Sequence, residues 1–221
     1  MTTHKTAWFG DRAVVIDVAS PLDRELVATI VMRALPEAVV RRGISSLMVE
    51  LPRPDINLFA DVRRVLASVA ESREASEPSE APAADATISI DVAYDGPDLL
   101  PTATFFGVSD TALVQAHTSQ RWRVAMMGFA PGFGYLEPIE APLLPWSSLP
   151  RRTTPRATVP PGSVALAAGM SAIYPTSSPG GWHLIGTSRR RRFDPHTDSR
   201  PPLLIPGAGV RFAAINHEPT P

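Results

Sequence analysis

The chain of 221 residues contains no cysteine, which excludes disulfides, thiolate catalysis and cysteine-ligated zinc or iron–sulfur clusters, and fits a reducing compartment. No stretch approaches the roughly 18 consecutive apolar residues of a spanning helix. No apolar segment follows Met1-Thr2-Thr3-His4-Lys5 either, so neither a leader nor a membrane anchor is expected and the expected location is cytoplasmic. An excess of one charge is also missing: a net charge of −1 gives no global reason to expect nucleic acid or an anionic membrane as partner. The phosphate loop Gly-x-x-x-x-Gly-Lys-Ser/Thr does not occur, since Gly128 to Gly134 carries no lysine. The serine-hydrolase elbow Gly-x-Ser-x-Gly fails at its last position in Gly169-Met170-Ser171-Ala172-Ile173. The five histidines, His4, His117, His183, His196 and His217, show no zinc spacing, so no metal site is expected.

What is present is the composition of a globular protein, 44% hydrophobic and 19% charged, with length enough for two modest cores. Ala13 to Val18 reads as a β-branched strand. Ser20-Pro21-Leu22-Asp23 then offers a helix N-cap, with Leu22, Leu26, Ile30 and Ala34 on one stripe and Pro36 as the stop. Ile44 to Leu51 reads as a second strand. Leu58, Phe59, Val62, Val65, Leu66 and Val69 form the apolar face of a second helix. These elements define an N-terminal α/β domain over residues 1–70.

From Glu71 to Ala86 no large apolar residue offsets the entropy of ordering the backbone, which predicts a linker over 71–86. A second domain, 87–217, starts where Ile88, Ile90, Val92 and Tyr94 alternate with polar or small residues. Asp110 to His117 predicts a short helix. Trp122 to Met126, Val164 to Ala168, His183 to Ile185 and Val210 to Ile215 predict short strands separated by Pro/Gly-rich loops, a pattern that favours a closed β-barrel over a parallel sheet.

Three loops of the second domain carry the chemistry. Gly128 to Leu136 packs three glycines, one proline and three aromatic rings into nine residues, a composition suited to a site wall: Phe129, Pro131, Gly132 and Phe133 approach a ligand closely, and Tyr135 orients a carbonyl. Pro150 to Arg156 supplies Arg151, Arg152 and Arg156 as forked donors for a carboxylate or phosphate. Ser178-Pro179-Gly180-Gly181-Trp182 adds close backbone and a ring that serves either as a ligand platform or as a barrel plug. His117 is the candidate for moving a proton, with a backbone-bonded capping role as the alternative. Arg189 to Arg192, four consecutive cations without interleaved aromatics, reads as a solvated hairpin tip.

These motifs resemble the KipI/PxpB family, also known as allophanate hydrolase subunit 1 or carboxyltransferase-domain subdomain C and D. The family pattern Gly-Phe-x-Pro-Gly-Phe-Pro-Tyr-Leu is similar to Gly128 through Leu136, Pro-Arg-x-x-Thr-Pro-Arg to Pro150 or Arg151 through Arg156, and Val-Pro-Ala-Gly-Ser-Val to Val159 through Val164. Ile-Tyr-Pro-x-x-Ser-Pro-Gly-Gly-Trp-x-Leu-Ile-Gly is similar to Ile173 through Gly186, and Gly10-Asp11-Arg12-Ala13 and Ser45 through Val49 extend the likeness into the first domain. The resemblance implies an α+β protein, an N-terminal α/β sandwich followed by a cyclophilin-like β-barrel. It also implies a heteromeric, ATP-dependent 5-oxoprolinase that opens pyroglutamate to glutamate, with a larger PxpC/KipA-type subunit and a PxpA (LamB/YcsF)-type subunit, the chain alone being nearly inactive.

ATP, with Mg2+, would phosphorylate the lactam oxygen within the assembled complex. The matched motifs make Tyr135 and Arg156 catalytic candidates, beside His117, which the residues alone single out. Ser171, Tyr174, Gly180, Gly181 and Trp182 join Phe129, Pro131, Gly132, Phe133, Arg151 and Arg152 as candidates for binding 5-oxoproline. A KipI-like inhibitor of a sensor histidine kinase and a component acting on allophanate or urea derivatives are the two other roles the resemblance allows. The chain departs from the family at Met170, where an amide is usual, at Gly134, in place of proline, at Gly207-Ala208-Gly209-Val210, and in the arginine-rich run after Gly186.

Overall fold

The computed structural model describes residues 4–75, 87–188 and 203–215. The chain divides into two units, 1–83 and 84–221. In the first, strands β1 (Thr6–Phe9), β2 (Ala13–Asp17), β3 (Val39–Arg42) and β4 (Ser46–Glu50) form an antiparallel sheet of order β1-β2-β4-β3. Helices α1 (Pro21–Ala34) and α2 (Leu58–Ala75) complete the unit. Val14, Ile16, Leu47 and Val49, alternating along β2 and β4, meet Val27, Val31, Val62 and Val69 in one core.

The caps follow the sequence: Ser20 accepts the amide of Asp23 at the start of α1, with Pro21 at its first position. The buried face of α1 does not. Leu22 and Ala34 are exposed, and the inward face carries Asp23, Arg24, Val27, Ala28 and Val31. A polar cluster turns the helix this way. Arg24 donates to the carbonyl of Ile44 at 3.1 Å, Glu25 bridges Arg24 and Arg42, and Asp23 accepts from the amide of Ala19 beside His4. Helix α2 continues to Ala75, five residues into the expected linker; the rest of that linker and Arg189–Arg192 lie outside the described residues.

The second unit holds a seven-stranded sheet of order β12-β9-β10-β7-β6-β13-β5. Its strands are β5 (Thr87–Val92), β6 (Trp122–Met127), β7 (Gly134–Pro138), β9 (Ser163–Ala167), β10 (Met170–Ile173), β12 (His183–Thr187) and β13 (Gly209–Ala214). Beyond β5, Ala93 exchanges backbone hydrogen bonds of 2.9 and 2.7 Å with Thr187 of β12, so the sheet nearly closes into the expected barrel. One neighbouring pair, β5 with β13, is parallel. Two short strands, β8 (Arg156–Val159) and β11 (Ser178–Gly180), pair separately. Helices α3 (Leu99–Phe106) and α4 (Asp110–Ser119) add Ala103 and Leu113 to the main core.

Strands β9, β10 and β12 are apolar on both faces, and this two-sidedness positions the site. Val164, Leu166 and Ile185 face the main core, whereas Ala165, Ala167, Ala172 and Leu184 alternate with them and belong to a second cluster with Phe133, Val159, Tyr174 and Trp182. The β8–β11 ribbon contributes Val159 to that second cluster.

Candidate functional site

The outer cluster joins two of the three loops singled out in the sequence, those of Phe133 and Trp182, and the arginine loop is tied to it through the backbone. Phe133 lies at its centre, with ring centroids 5.0 Å from Tyr135, 5.2 Å from both Phe129 and Tyr174, and 6.2 Å from Trp182, each pair edge to face. Phe133, Tyr174 and Trp182 are buried, Tyr135 is half-buried, and Phe129 is 62% exposed. The rings therefore form a packed floor with Phe129 standing at its lip. Gly180 is obligatory here, because a Cβ at that position would collide with the Tyr174 hydroxyl. The Gly181 carbonyl accepts the amide of Arg152 at 2.7 Å, which ties the arginine loop to the Gly-Gly-Trp turn.

Phe129 is held in an unusual conformation. Its φ is +70°, and the amide of Ala130 reaches the carbonyl of Gly128 at 2.8 Å, closing a three-residue γ-turn of positive φ around a bulky ring. Such a conformation costs about 1–2 kcal/mol for a residue with a Cβ.

The arginines do not wait as three free forks. Arg152 Nη1 donates to Asp98 Oδ1 at 2.9 Å, Arg156 Nη2 donates to the same oxygen at 2.8 Å, and Asp98 Oδ2 accepts the Leu184 amide at 2.7 Å. Burial alone would raise the pKa of Asp98. The hydrogen bonds from Arg156 and Leu184 and the charges of Arg156 and Arg152 outweigh it and hold the carboxyl below the usual range. Two buried donors, Nε of Arg152 and Nη1 of Arg156, keep no hydrogen-bond partner; Nη1 lies 2.8 Å from Asp98 Oδ2 but is not aligned with it. Arg151 is exposed and forms no ion pair among the described residues.

Both Arg151 and Arg156 act on the Tyr174 hydroxyl. Burial raises its pKa, Tyr135 adds to the rise, and the positive charges with the Trp182 amide only partly oppose it, so the phenol stays protonated. A surplus of positive charge thus borders an aromatic floor bearing two phenol groups. That arrangement recognises an oxyanion attached to a small, partly apolar body.

The structure does not bring His117 and Ser171 to this site. Ser171 lies opposite Leu136 in the β10–β7 pair and points into the main core, whereas the next residue, Ala172, lies opposite Tyr135 on the outer face. His117 is fully buried, its Nδ1 2.7 Å from the Tyr94 hydroxyl, its Nε2 3.0 Å from Ser171 Oγ and its ring stacked on Phe212 at 4.4 Å. Both nitrogens hydrogen-bond side chains and no ring edge faces solvent, so the structure places His117 in the main core, apart from the outer site and not in the backbone-bonded capping role named as the alternative.

Burial pushes the pKa of His117 down to about 3. The folded state therefore binds fewer protons than the unfolded state, whose imidazole titrates near 6.5. The stabilisation is complete above about pH 6.5 and is lost progressively as pH falls towards 3, at up to about 1.4 kcal/mol per pH unit. Denaturation midpoints between pH 7 and 4 should fall more steeply for the wild-type chain than for His117→Gln; parallel curves would contradict this account.

A family model for the carboxyltransferase domain, subdomain C and D, matches residues 4–204. The chain belongs to that family. It is 35% identical over 214 residues to the B-type subunit of 5-oxoprolinase from Escherichia coli O157:H7, covering 92% of each chain. It is 33% identical over 180 residues to the corresponding B-type subunit from Bacillus subtilis (strain 168), covering 80% of this chain and 67% of that one. Among solved structures, TTHA0988 is similar with a TM-score of 0.69 at 33% identity. The match covers 95% of this chain and 41% of that one, so the chain spans about two fifths of the solved relative.

Of two departures from the family pattern, one falls within the outer site and the other faces the main core. Met170, where an amide is usual, packs against the outer ring cluster as a thioether. Gly134, where proline is usual, makes room for Leu204, whose Cδ1 would lie 2.8 Å from an added Cβ. Asp98 is the member of this carboxyltransferase-domain site that the sequence pattern does not reveal. Its local signal is a turn, Asp95-Gly96-Pro97-Asp98, followed by a helix; its partners lie 54, 58 and 86 residues away. Among the described residues no group of three or more His, Asp or Glu is placed to hold a metal ion. The guanidinium groups of the outer site are of the kind that bind phosphate oxygens, and its described residues supply no ligand set for Mg2+.

Proposed function

We propose that this chain is a subunit of an ATP-dependent 5-oxoprolinase, working with a larger PxpC/KipA-type subunit and a PxpA (LamB/YcsF)-type subunit. The relatives that bear the name of a B-type 5-oxoprolinase subunit support the assignment. The observation that carries it to this chain's own residues is the cluster of Arg151, Arg152 and Arg156, with the Arg152 Nε donor unpartnered, beside the ring floor of Phe133, Tyr135, Tyr174 and Trp182. 5-Oxoproline presents a carboxylate on a small lactam ring. In this reading the arginines bind the carboxylate or a phosphate, the rings seat the lactam, and Tyr135 and Tyr174 offer hydroxyls to its amide. ATP supplies the phosphoryl group that activates the lactam carbonyl, and its metal ion is held by other subunits. The chain alone is nearly inactive because its site is completed on assembly.

Arginine footprinting of the assembled complex tests this reading. Arg151 is exposed and should react readily with phenylglyoxal. Addition of 5-oxoproline should slow its modification severalfold, while surface arginines such as Arg63 and Arg64 react as before. Equal modification of Arg151 with and without 5-oxoproline would contradict a substrate site on this face.

A further inference from the structure

Asp98 breaks a local rule. It occupies the N-cap position of α3, where aspartate normally accepts an amide of the first turn, yet its side chain makes no capping bond. The carboxylate turns instead to Arg152, Arg156 and the Leu184 amide. The backbone is shaped to hold it there. Asp98 donates its own amide to the Leu184 carbonyl at 2.9 Å, and Gly96 packs so closely on β12 that a Cβ would collide with the Leu184 carbonyl. Between β9 and β12 the register skips Ile185, whose carbonyl is then free to accept from Gly96. A bulge, a glycine and a forgone cap thus converge on one buried carboxylate.

A carboxylate meant only to staple two loops would be balanced by one arginine. Here two guanidinium groups share it, Arg156 with both Nη atoms, leaving one surplus positive charge and one buried donor, Arg152 Nε, without an acceptor. A buried donor left open is costly and calls for a partner. We propose that Asp98 is a positioning residue: it fixes Arg152 and Arg156 so that Nε of Arg152, beside the surplus positive charge, stays available for an oxyanion of the ligand, a carboxylate or a phosphate. This inference rests on the outer-face site described above. It adds the ligand group that the arginines hold and the residue that holds the arginines.

The test uses the full chain labelled with 15N, whose Arg152 Nε–H resonance reports the open donor directly. Titration with 5-oxoproline and, separately, with inorganic phosphate should shift that resonance in the wild-type chain. In Asp98→Asn, which keeps the shape and removes the charge, affinity for the responding probe should fall at least tenfold, and Asp98→Glu should recover part of it. In the assembled enzyme the same Asp98→Asn change should raise KM for 5-oxoproline at least tenfold and lower kcat less.

A response to phosphate alone supports the positioning role and assigns the anion to phosphate, at the expense of the reading that this face holds the substrate carboxylate. A folded Asp98→Asn chain with wild-type affinity for both probes would overturn the proposal and leave Asp98 a structural staple. An Arg152 Nε–H signal in the wild-type chain indifferent to both probes would overturn it even with 5-oxoprolinase activity intact. That last result does not depend on whether the variants fold.

Discussion

Replacing Arg156 by alanine should lower kcat/KM of the assembled enzyme for 5-oxoproline by about ten- to a thousandfold, the range for loss of a preorganised charge partner. Three features place this residue first. Its Nη2 donates to Asp98 Oδ1, its Nη1 lies 2.8 Å from Asp98 Oδ2, and its charge reaches the Tyr174 phenol. Backbone pairing opposite Gly180 fixes where the side chain starts. Lysine should not restore activity, because a single ammonium cannot donate to Asp98 and present a second fixed donor at once. Some stability should be lost too, since Asp98 keeps Arg152 and the Leu184 amide but loses one of its two cations. Steady-state kinetics alongside a denaturation midpoint separates the two effects. Wild-type kcat/KM in a folded Arg156→Ala complex would remove Arg156 from the site.

The second large effect is expected at Phe129, with little consequence for stability and a large one for activity. Glycine at this position releases about 1–2 kcal/mol of left-handed strain. Against that stand the lost edge contacts with Phe133 and Tyr174, about 0.5–1.5 kcal/mol for a good aromatic pair and less for a ring that is 62% exposed. Glycine's greater freedom in the unfolded chain takes about another 0.5–1 kcal/mol. These terms nearly cancel, so Phe129→Gly should change stability by less than about 1 kcal/mol, a shift of about 2–4 °C in Tm. Activity should nevertheless fall about ten- to a hundredfold, because a strained, exposed ring at the lip of the site has its role in covering the ligand. Large destabilisation with unchanged KM would instead make Phe129 a packing residue.

Much of the architecture is readable from local pattern. Alternation of Ile88, Ile90 and Val92 fixes β5, Ser20 and Pro21 fix the start of α1, and the stripe from Leu58 to Val69 fixes α2. Where local pattern fails, long-range polar contacts decide the outcome. The stripe expected for α1 holds only in its middle, where Leu26 and Ile30 pack partly buried against the core; Leu22 and Ala34 are exposed because Asp23 and Arg24, which composition sends outward, are buried through partners on other segments. Strands β1 and β3 escape notice because their alternation is weak: Phe9 and Val39 are exposed.

The site shows the same limit. Its three loops announce themselves by glycine, proline and aromatic content, and the fold gathers them on one face. Which side of β10 that face lies on cannot be read locally, because neither face of the strand is exposed and its one polar residue, Ser171, points into the main core. Ser171 and Ala172 are neighbours in sequence, yet one meets His117 in the main core and the other meets the outer rings. Asp98 is invisible for a related reason: a carboxylate at a helix start reads as a cap, and nothing local reports arginines more than fifty residues downstream.

The central claim is that this chain contributes an oxyanion site to a 5-oxoprolinase. The most direct measurement is ATP-dependent glutamate release from 5-oxoproline by the co-expressed three-subunit complex, with each subunit omitted in turn. The account predicts turnover with all three subunits, its loss when this chain is left out, and no turnover by this chain alone. Undiminished glutamate release by the other two subunits without it would contradict the account.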